Sequence, residues 1–277
     1  MRPFAAGREL LPGIVVLEHL ARSRRLDVYD AWSTERGCRV AVKVLRPDHR
    51  DNRRHVAALV REGRTLRRLT HPHVVRAFEV HAAPLAAVVL ETLPGATLEH
   101  LAADEPLADA ELRVLGAQLA SGLHAIHAAG LLHLDLKPAN VIVGAGRATL
   151  IDLSHARAPG RVPQGHGTWC FAAPEQVAGG GVGPATDAWG LGVTLHAAAT
   201  GRSVLADRAD DLDVDDPQLH GPLPSLAGDR PDLSPELVAT IDGWLGTDPA
   251  ARPPADALLA TPGVVRARPA RRARAAA

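Results

Sequence analysis

Lysine is nearly missing from this chain. Of 31 basic side chains in 277 residues, only Lys43 and Lys137 are lysines, and the rest are arginines. Cysteine is also scarce. Cys38 and Cys170 stand far apart without metal-ligand spacing and are too few for a disulfide framework, which predicts a reducing, cytoplasmic setting. No apolar run reaches the roughly 18 uncharged residues of a membrane span. The first five residues, MRPFA, lack the apolar core of a signal peptide, so a soluble chain without a membrane span is expected. Charge of one sign is not in excess, because 31 acidic residues balance the 31 basic ones. No global field then draws the protein to nucleic acid or an anionic surface, and no nucleic-acid partner is expected. The 46% of apolar residues are ample for a core, over a length that suits one large or two small packed units.

Short β-prone runs (VVLEHL, LDVYDAW, CRVAVKVL, VVRAFEV and AAVVLE) fill Ile14 to Glu91, broken once by a helical segment from about Arg53 to Leu69. After Leu93-Pro94-Gly95 the pattern turns helical. Leu112, Leu115, Leu119, Leu123 and Ile126 recur three or four residues apart and paint one face of a long helix ending near Gly130. Two short apolar runs at 141–143 and 148–151 follow, then a Gly/Pro-rich segment to Pro174 and helical patterns near 186–199, 235–246 and 254–260. The fold class predicted is α+β. Residues 12–92 form a small β-sheet lobe with one main helix, 93–263 a larger, mostly helical lobe, and 264–277 a basic low-complexity tail expected to be disordered.

The two lysines mark the chemistry. Lys43 sits in VAVK, where strand alternation sends it to the face opposite Val42, and Glu62 follows on the predicted helix. Taken alone, they read as a solvent-facing charge and an exposed salt-bridge partner. Lys137 lies in HLDLKPAN, residues 133–140, and ATLIDL follows at 148–153. In this order and spacing the motifs resemble the eukaryotic-type (Hanks-type) Ser/Thr protein kinases of bacteria, over about residues 12 to 260.

The resemblance implies a bilobal protein kinase fold that binds ATP and Mg²⁺, with Mn²⁺ as an alternative ion, and transfers the γ-phosphoryl group to Ser or Thr hydroxyls of a protein substrate. It implies that Lys43 holds the α- and β-phosphates and is itself held by Glu62. Asp135 accepts or orients the substrate hydroxyl proton. Lys137 neutralises the γ-phosphate, a place where a compact ammonium fits and a planar guanidinium does not. Asn140 and Asp152 supply metal ligands, and Ala21, Ser23, Val28, Ala41, Leu90, Glu91 and Leu93 join Lys43 in contacting the nucleotide. Gly167-Thr168 and Ala173-Pro174-Glu175 resemble the end of an activation segment. Asp187 in DAWGLG matches an aspartate that bonds catalytic-loop amides, and Arg252 is the expected partner of Glu175.

The chain departs from the family pattern in three places. The glycine-rich loop falls on Ala21-Arg22-Ser23-Arg24-Arg25-Leu26, where no residue takes φ > 0 freely, so poorer nucleotide contacts are expected, with Arg22, Arg24 or Arg25 as candidate phosphate contacts. Leu134 stands where the family has the arginine that clamps a phosphorylated loop, and residues 155–167 contain no Ser, Thr or Tyr. Activity independent of loop phosphorylation is therefore expected. Asp152-Leu153-Ser154 replaces DFG, which stiffens the hinge of that segment.

Two rival readings stand beside the kinase. One is a pseudokinase, a nucleotide-binding scaffold favoured by the lost glycines and Leu134. The other is a small-molecule phosphotransferase sharing the H-x-D-x-x-x-x-N loop, against which Lys137, Thr168 and Arg252 point to a protein substrate. The aspartates at 207, 210, 211, 213, 215 and 216 read as a solvated loop or as a surface for arginine-rich substrates or the tail, and lack the Gly and Glu of a calcium loop. His71, His73, His124, His127 and His133 form no zinc pattern and read as structural. Most bacterial relatives carry a membrane span and sensor after the kinase domain, so for a sequence that stops at a basic tail the expected input is a partner, a neighbouring gene product, or none at all. Dimerisation through the small lobe is a further expectation from the resemblance.

Overall fold

Val40, Val42 and Val44 alternate with Ala41 and Lys43, and in the computed structural model, which describes residues 2–260, they form the strand that this pattern predicts. The basic tail expected at 264–277 lies outside the described residues. The chain divides into two units, one up to Leu93 and one from Pro94.

The first unit is a six-stranded antiparallel sheet in the order β1-β2-β3-β4-β6-β5. Its strands are β1 (Glu9–Leu11), β2 (Ile14–Arg22), β3 (Leu26–Ser33), β4 (Cys38–Leu45), β5 (Ala77–His81) and β6 (Ala87–Glu91). One face buries Val16, Tyr29, Ala31, Val40, Val42, Val44 and Val89. One helix, α1 (Arg53–Arg68), lies between β4 and β5 in sequence; its first turn is capped by the Asn52 side chain, which accepts from the amides of Arg54 and His55. A Cβ on Gly63 would stand 2.6 Å from Val88 Cγ2 and 2.8 Å from Val80 Cγ2, so only glycine lets α1 rest directly on β5 and β6. That approach brings the neighbouring Glu62 down onto the sheet.

The second unit opens with β7 (Ala96–Thr97), α2 (Leu98–Asp104) and the long α3 (Asp109–Ala128), which buries the predicted leucine stripe. β8 (Val141–Gly144) and β9 (Arg147–Leu150) complete a three-stranded sheet with β7. A two-stranded ribbon of β10 (Gly160–Arg161) and β11 (Gly181–Val182) brackets the short α4 (Pro174–Val177). Helix α5 (Pro184–Thr200) is the centre of this unit, buried on every side from Thr186 to Ala199, as a helix apolar all round must be.

The remaining helices are α6 (Val204–Leu212), α7 (Leu226–Asp229) and α8 (Pro235–Trp244). The acidic stretch is thus helix from Val204 to Leu212 rather than loop. Val204, Leu205 and Ala209 anchor one side, the Ser203 hydroxyl caps the start, and the carboxylates take the outer side. Residues 255–260 form a 3-10 turn, tighter than the helix expected there. Among the described residues no helix is long and apolar enough to cross a membrane.

Candidate active site

In the first unit, Lys43 and Glu62 meet. The ammonium donates to Glu62 Oε1 at 2.8 Å, with side chains only 7% and 3% exposed. Cross-strand pairing aligns Ala21 with Val28, Val28 with Lys43 and Ala41 with Leu90. Because paired residues share a sheet face, these five sequence-named positions lie together on the face opposite the valine core. The Glu91 carboxylate accepts from the Arg76 amide at the end of β6, and Leu93 is the last residue of the unit.

The turn expected to cradle phosphate is a plain one. Ser23 N donates to the Leu26 carbonyl at 2.8 Å, and the Ser23 hydroxyl closes the same turn. Arg22 is already committed to Asp27, through Nε to Oδ1 at 2.7 Å and Nη2 to Oδ2 at 3.1 Å. Burial alone would raise the Asp27 pKa; hydrogen bonds from Arg22 and His19 outweigh it and hold the carboxyl below the usual range. This trio around the buried Asp27 was not foreseen from sequence.

In the second unit, Asp187 of α5 organises the loop. Its carboxylate accepts from the backbone amides of His133 and Leu134, each at 2.8 Å, and lies 2.7 Å from His127 Nε2. Leu134 is held at φ 61°, and the two amide bonds keep the chain in that strained region. Its side chain is buried with Leu132, Val162 and Val182, so the place expected for a phosphate-clamping arginine is filled by an apolar cluster. Gln176 adds bonds from its amide nitrogen to the carbonyls of Leu134 and His166. His133 is fully enclosed, and burial holds its pKa below the ordinary histidine value.

The Asp135 carboxylate has three side-chain partners. The Thr168 hydroxyl donates to Oδ1 at 2.5 Å, the Asn140 amide donates to Oδ2 at 3.1 Å, and the Lys137 ammonium stands 3.1 Å from Oδ2. Lys137 also donates to Thr168 Oγ1 at 2.6 Å, closing a triangle of Asp135, Lys137 and Thr168. Asn140 spends its second amide hydrogen on the Asp135 carbonyl at 2.8 Å, which leaves its amide oxygen as an outward acceptor. The Ile151 amide donates to the Asn140 carbonyl, so β8 and β9 bring Asp152 beside Asn140. Asp152 Oδ1 accepts from the Ser154 amide at 2.7 Å and Leu153 is buried, as its place in the apolar slot requires. One carboxylate and one amide oxygen make a small set of hard donors, which fits a divalent cation that keeps most of its water or phosphate ligands.

Glu175, at the start of α4, receives both Nη atoms of Arg252 at 2.7 and 2.9 Å, and accepts from the Thr186 hydroxyl at 2.8 Å. The expected pair is therefore formed and fork-shaped.

A model of the protein kinase domain matches residues 21–263. The Streptomyces coelicolor serine/threonine-protein kinase PkaA is 35% identical over 231 residues, 79% of this chain and 41% of that protein. The Thermomonospora curvata protein named "Probable serine/threonine-protein kinase PkwA" is 34% identical over 80% of this chain and 30% of its own length. The chain thus spans well under half of these relatives. The crystal structure of the Mycobacterium tuberculosis PknI kinase domain superposes with a TM-score of 0.70 at 25% identity, over 93% of this chain and 97% of that one, which shows the fold. A β-sheet unit that pairs a strand lysine with a helix glutamate, and a helical unit whose loop carries Asp135, Lys137 and Asn140, accord with that match: the chain belongs to the protein kinase domain family.

Proposed function

We propose that this chain is a Ser/Thr protein kinase using ATP and Mg²⁺. The observation that carries the reading is the Thr168 hydroxyl donating to Asp135 with Lys137 beside both, because it shows an alcohol oxygen can sit where carboxylate and ammonium act on it together. A Ser or Thr hydroxyl of the substrate gives its proton to the Asp135 carboxylate as its oxygen bonds to the γ-phosphorus. The bond from that phosphorus to the β,γ-bridging oxygen breaks and ADP leaves. Lys137 offsets charge on the transferring group, and Lys43, fixed by Glu62, does so on the α- and β-phosphates. Asn140 and Asp152 would hold the metal, which neutralises phosphate charge when bound. Ala21, Ser23, Val28, Ala41, Leu90, Glu91 and Leu93 complete the nucleotide contacts in this reading.

Activity without loop phosphorylation belongs to the same proposal. It is supported by Leu134 packing against Val162, by the β10–β11 ribbon, and by the lack of hydroxyls at 155–167. A cytoplasmic setting is supported by two unpaired cysteines. The test is transfer of labelled phosphate from ATP to the protein itself and to a basic protein substrate, comparing the unaltered chain with Asp135→Asn and Lys43→Arg. Incorporation lost in both variants supports the reading. Nucleotide-dependent thermal stabilisation without transfer would favour a scaffold, the alternative that the glycine-free turn at 21–26 suggests. Transfer to small alcohols but not to protein would favour a small-molecule phosphotransferase.

A further inference from the structure

Helix α1 has a second face. Arg53, Val56, Val60, Arg61, Arg64 and Arg68 recur at helical spacing along it and, with Ala82, line a groove of about 630 Å³ whose only carboxylate is Asp51. Several arginines elsewhere are paired with carboxylates, as Arg36 is with Glu79 and Arg113 with Asp109. Arg53, Arg61, Arg64 and Arg68 are exposed and have no anionic partner among the described residues. Arg53 and Arg54 even crowd the first turn, where the helix dipole disfavours cations and no acid offsets them.

The opposite imbalance lies on the second unit. Asp210, Asp211, Asp213 and Asp215 are exposed without an ion pair among the described residues, and Leu212 between them is 46% exposed. Three of these carboxylates gather at the C-terminal end of α6, again the end the dipole disfavours. Neither surface serves the stability of a lone chain, and a net charge of zero raises no long-range barrier between copies. We propose that a second copy of this chain docks its Asp210–Asp215 segment in the α1 groove, its carboxylates on the arginines and Leu212 toward Val56 and Val60. The contact joins two unlike surfaces, so it closes in a dimer when both pairs form and otherwise extends into chains. It bears on the helix whose other side carries Glu62. That consequence for catalysis rests on the proposed function, whereas the association does not.

Sedimentation velocity tests it on the full chain, across concentration and at salt of about 0.05 and 0.5 M. The expected result is mass that rises with concentration at low salt and falls at high salt. Arg61→Glu with Arg64→Glu, and separately Asp210→Arg with Asp211→Arg, should each weaken association by roughly a hundredfold or more, since like charges replace attractive pairs. An equimolar mixture of the two variants should regain a complex through the one intact groove and the one intact segment, which also shows that both remain folded. A monomer at every concentration, association insensitive to either reversal, or loss only in the aspartate variant would overturn the proposal. The last outcome would point to residues 264–277 as the cations, and binding of an acidic peptide without self-association would point to a foreign partner.

Discussion

Replacing Arg252 with alanine should cost the second unit about 3–5 kcal/mol, because a buried pair that loses one member leaves the other charge unpaired. The guanidinium is fully enclosed. Beyond its two bonds to Glu175 it donates to the carbonyls of Ala185 at 3.0 Å and Gly246 at 2.8 Å, and it lies 5.1 Å from the Trp189 ring. In Arg252→Ala the Glu175 carboxylate keeps one bond, from Thr186, and those two carbonyls lose a donor. At about 2–4 °C per kcal/mol for a unit of this size, the midpoint should drop by roughly 10 °C. Urea unfolding followed by tryptophan fluorescence suits the measurement, since Trp169, Trp189 and Trp244 all lie in this unit. Arg252→Met with Glu175→Gln should cost markedly less than Arg252→Ala, because no bare charge remains. A loss below about 1 kcal/mol for Arg252→Ala, or a double variant as damaged as the single one, would refute the reasoning.

Gly63→Ala should destabilise the first unit by about 1–3 kcal/mol, overpacking against Val80 and Val88 outweighing the roughly 0.5–1 kcal/mol that alanine gains in a helix; Trp32 fluorescence in urea reads it, and a stabilised variant would contradict the close approach. His133 and His196 are buried, and burial lowers both pKa values. The unfolded chain therefore takes up protons first, so stability of the second unit should be full above about pH 6.5 and fall as pH drops below it; urea midpoints between pH 8 and 5 should show less of this slope in His133→Gln. Burial, with Asp210 and Asp207 adding to it, pushes the Cys170 thiol up to about 11, while Cys38 is exposed. Iodoacetamide at pH 8 should modify Cys38 alone in the native protein, and equal rates at both sites by mass spectrometry would contradict this.

Much of this was legible because scarce residues stood out. In an arginine-rich chain Lys43 and Lys137 stood out as the two lysines, and strand alternation with helical spacing was enough to place Lys43 and Glu62 on their elements. The Glu175–Arg252 and Asp187 contacts join residues over fifty apart, so only the family resemblance anticipated them. What composition concealed was the use of apolar and polar residues out of their usual roles. Leu134 looked like a lost arginine, and nothing in HLDL shows that it completes a cluster with Val162 and Val182. Arg22 looked available to phosphate until Asp27 proved to hold it. The aspartates after Val204 masked a helix, since each is a weak helix former and the three apolar anchors are too few for a clear stripe.

The crowding around Asp135 limits what it can accept. A carboxylate offers about four lone-pair positions, and Thr168, Asn140 and Lys137 take three of them. A single approach direction stays open. In the proposed reaction, whichever O–H arrives along it receives the same treatment, water as well as alcohol, so this carboxylate would not by itself distinguish transfer to a substrate from futile hydrolysis of ATP. That discrimination falls to whatever grips the incoming polypeptide on either side of its hydroxyl and keeps solvent from taking its place.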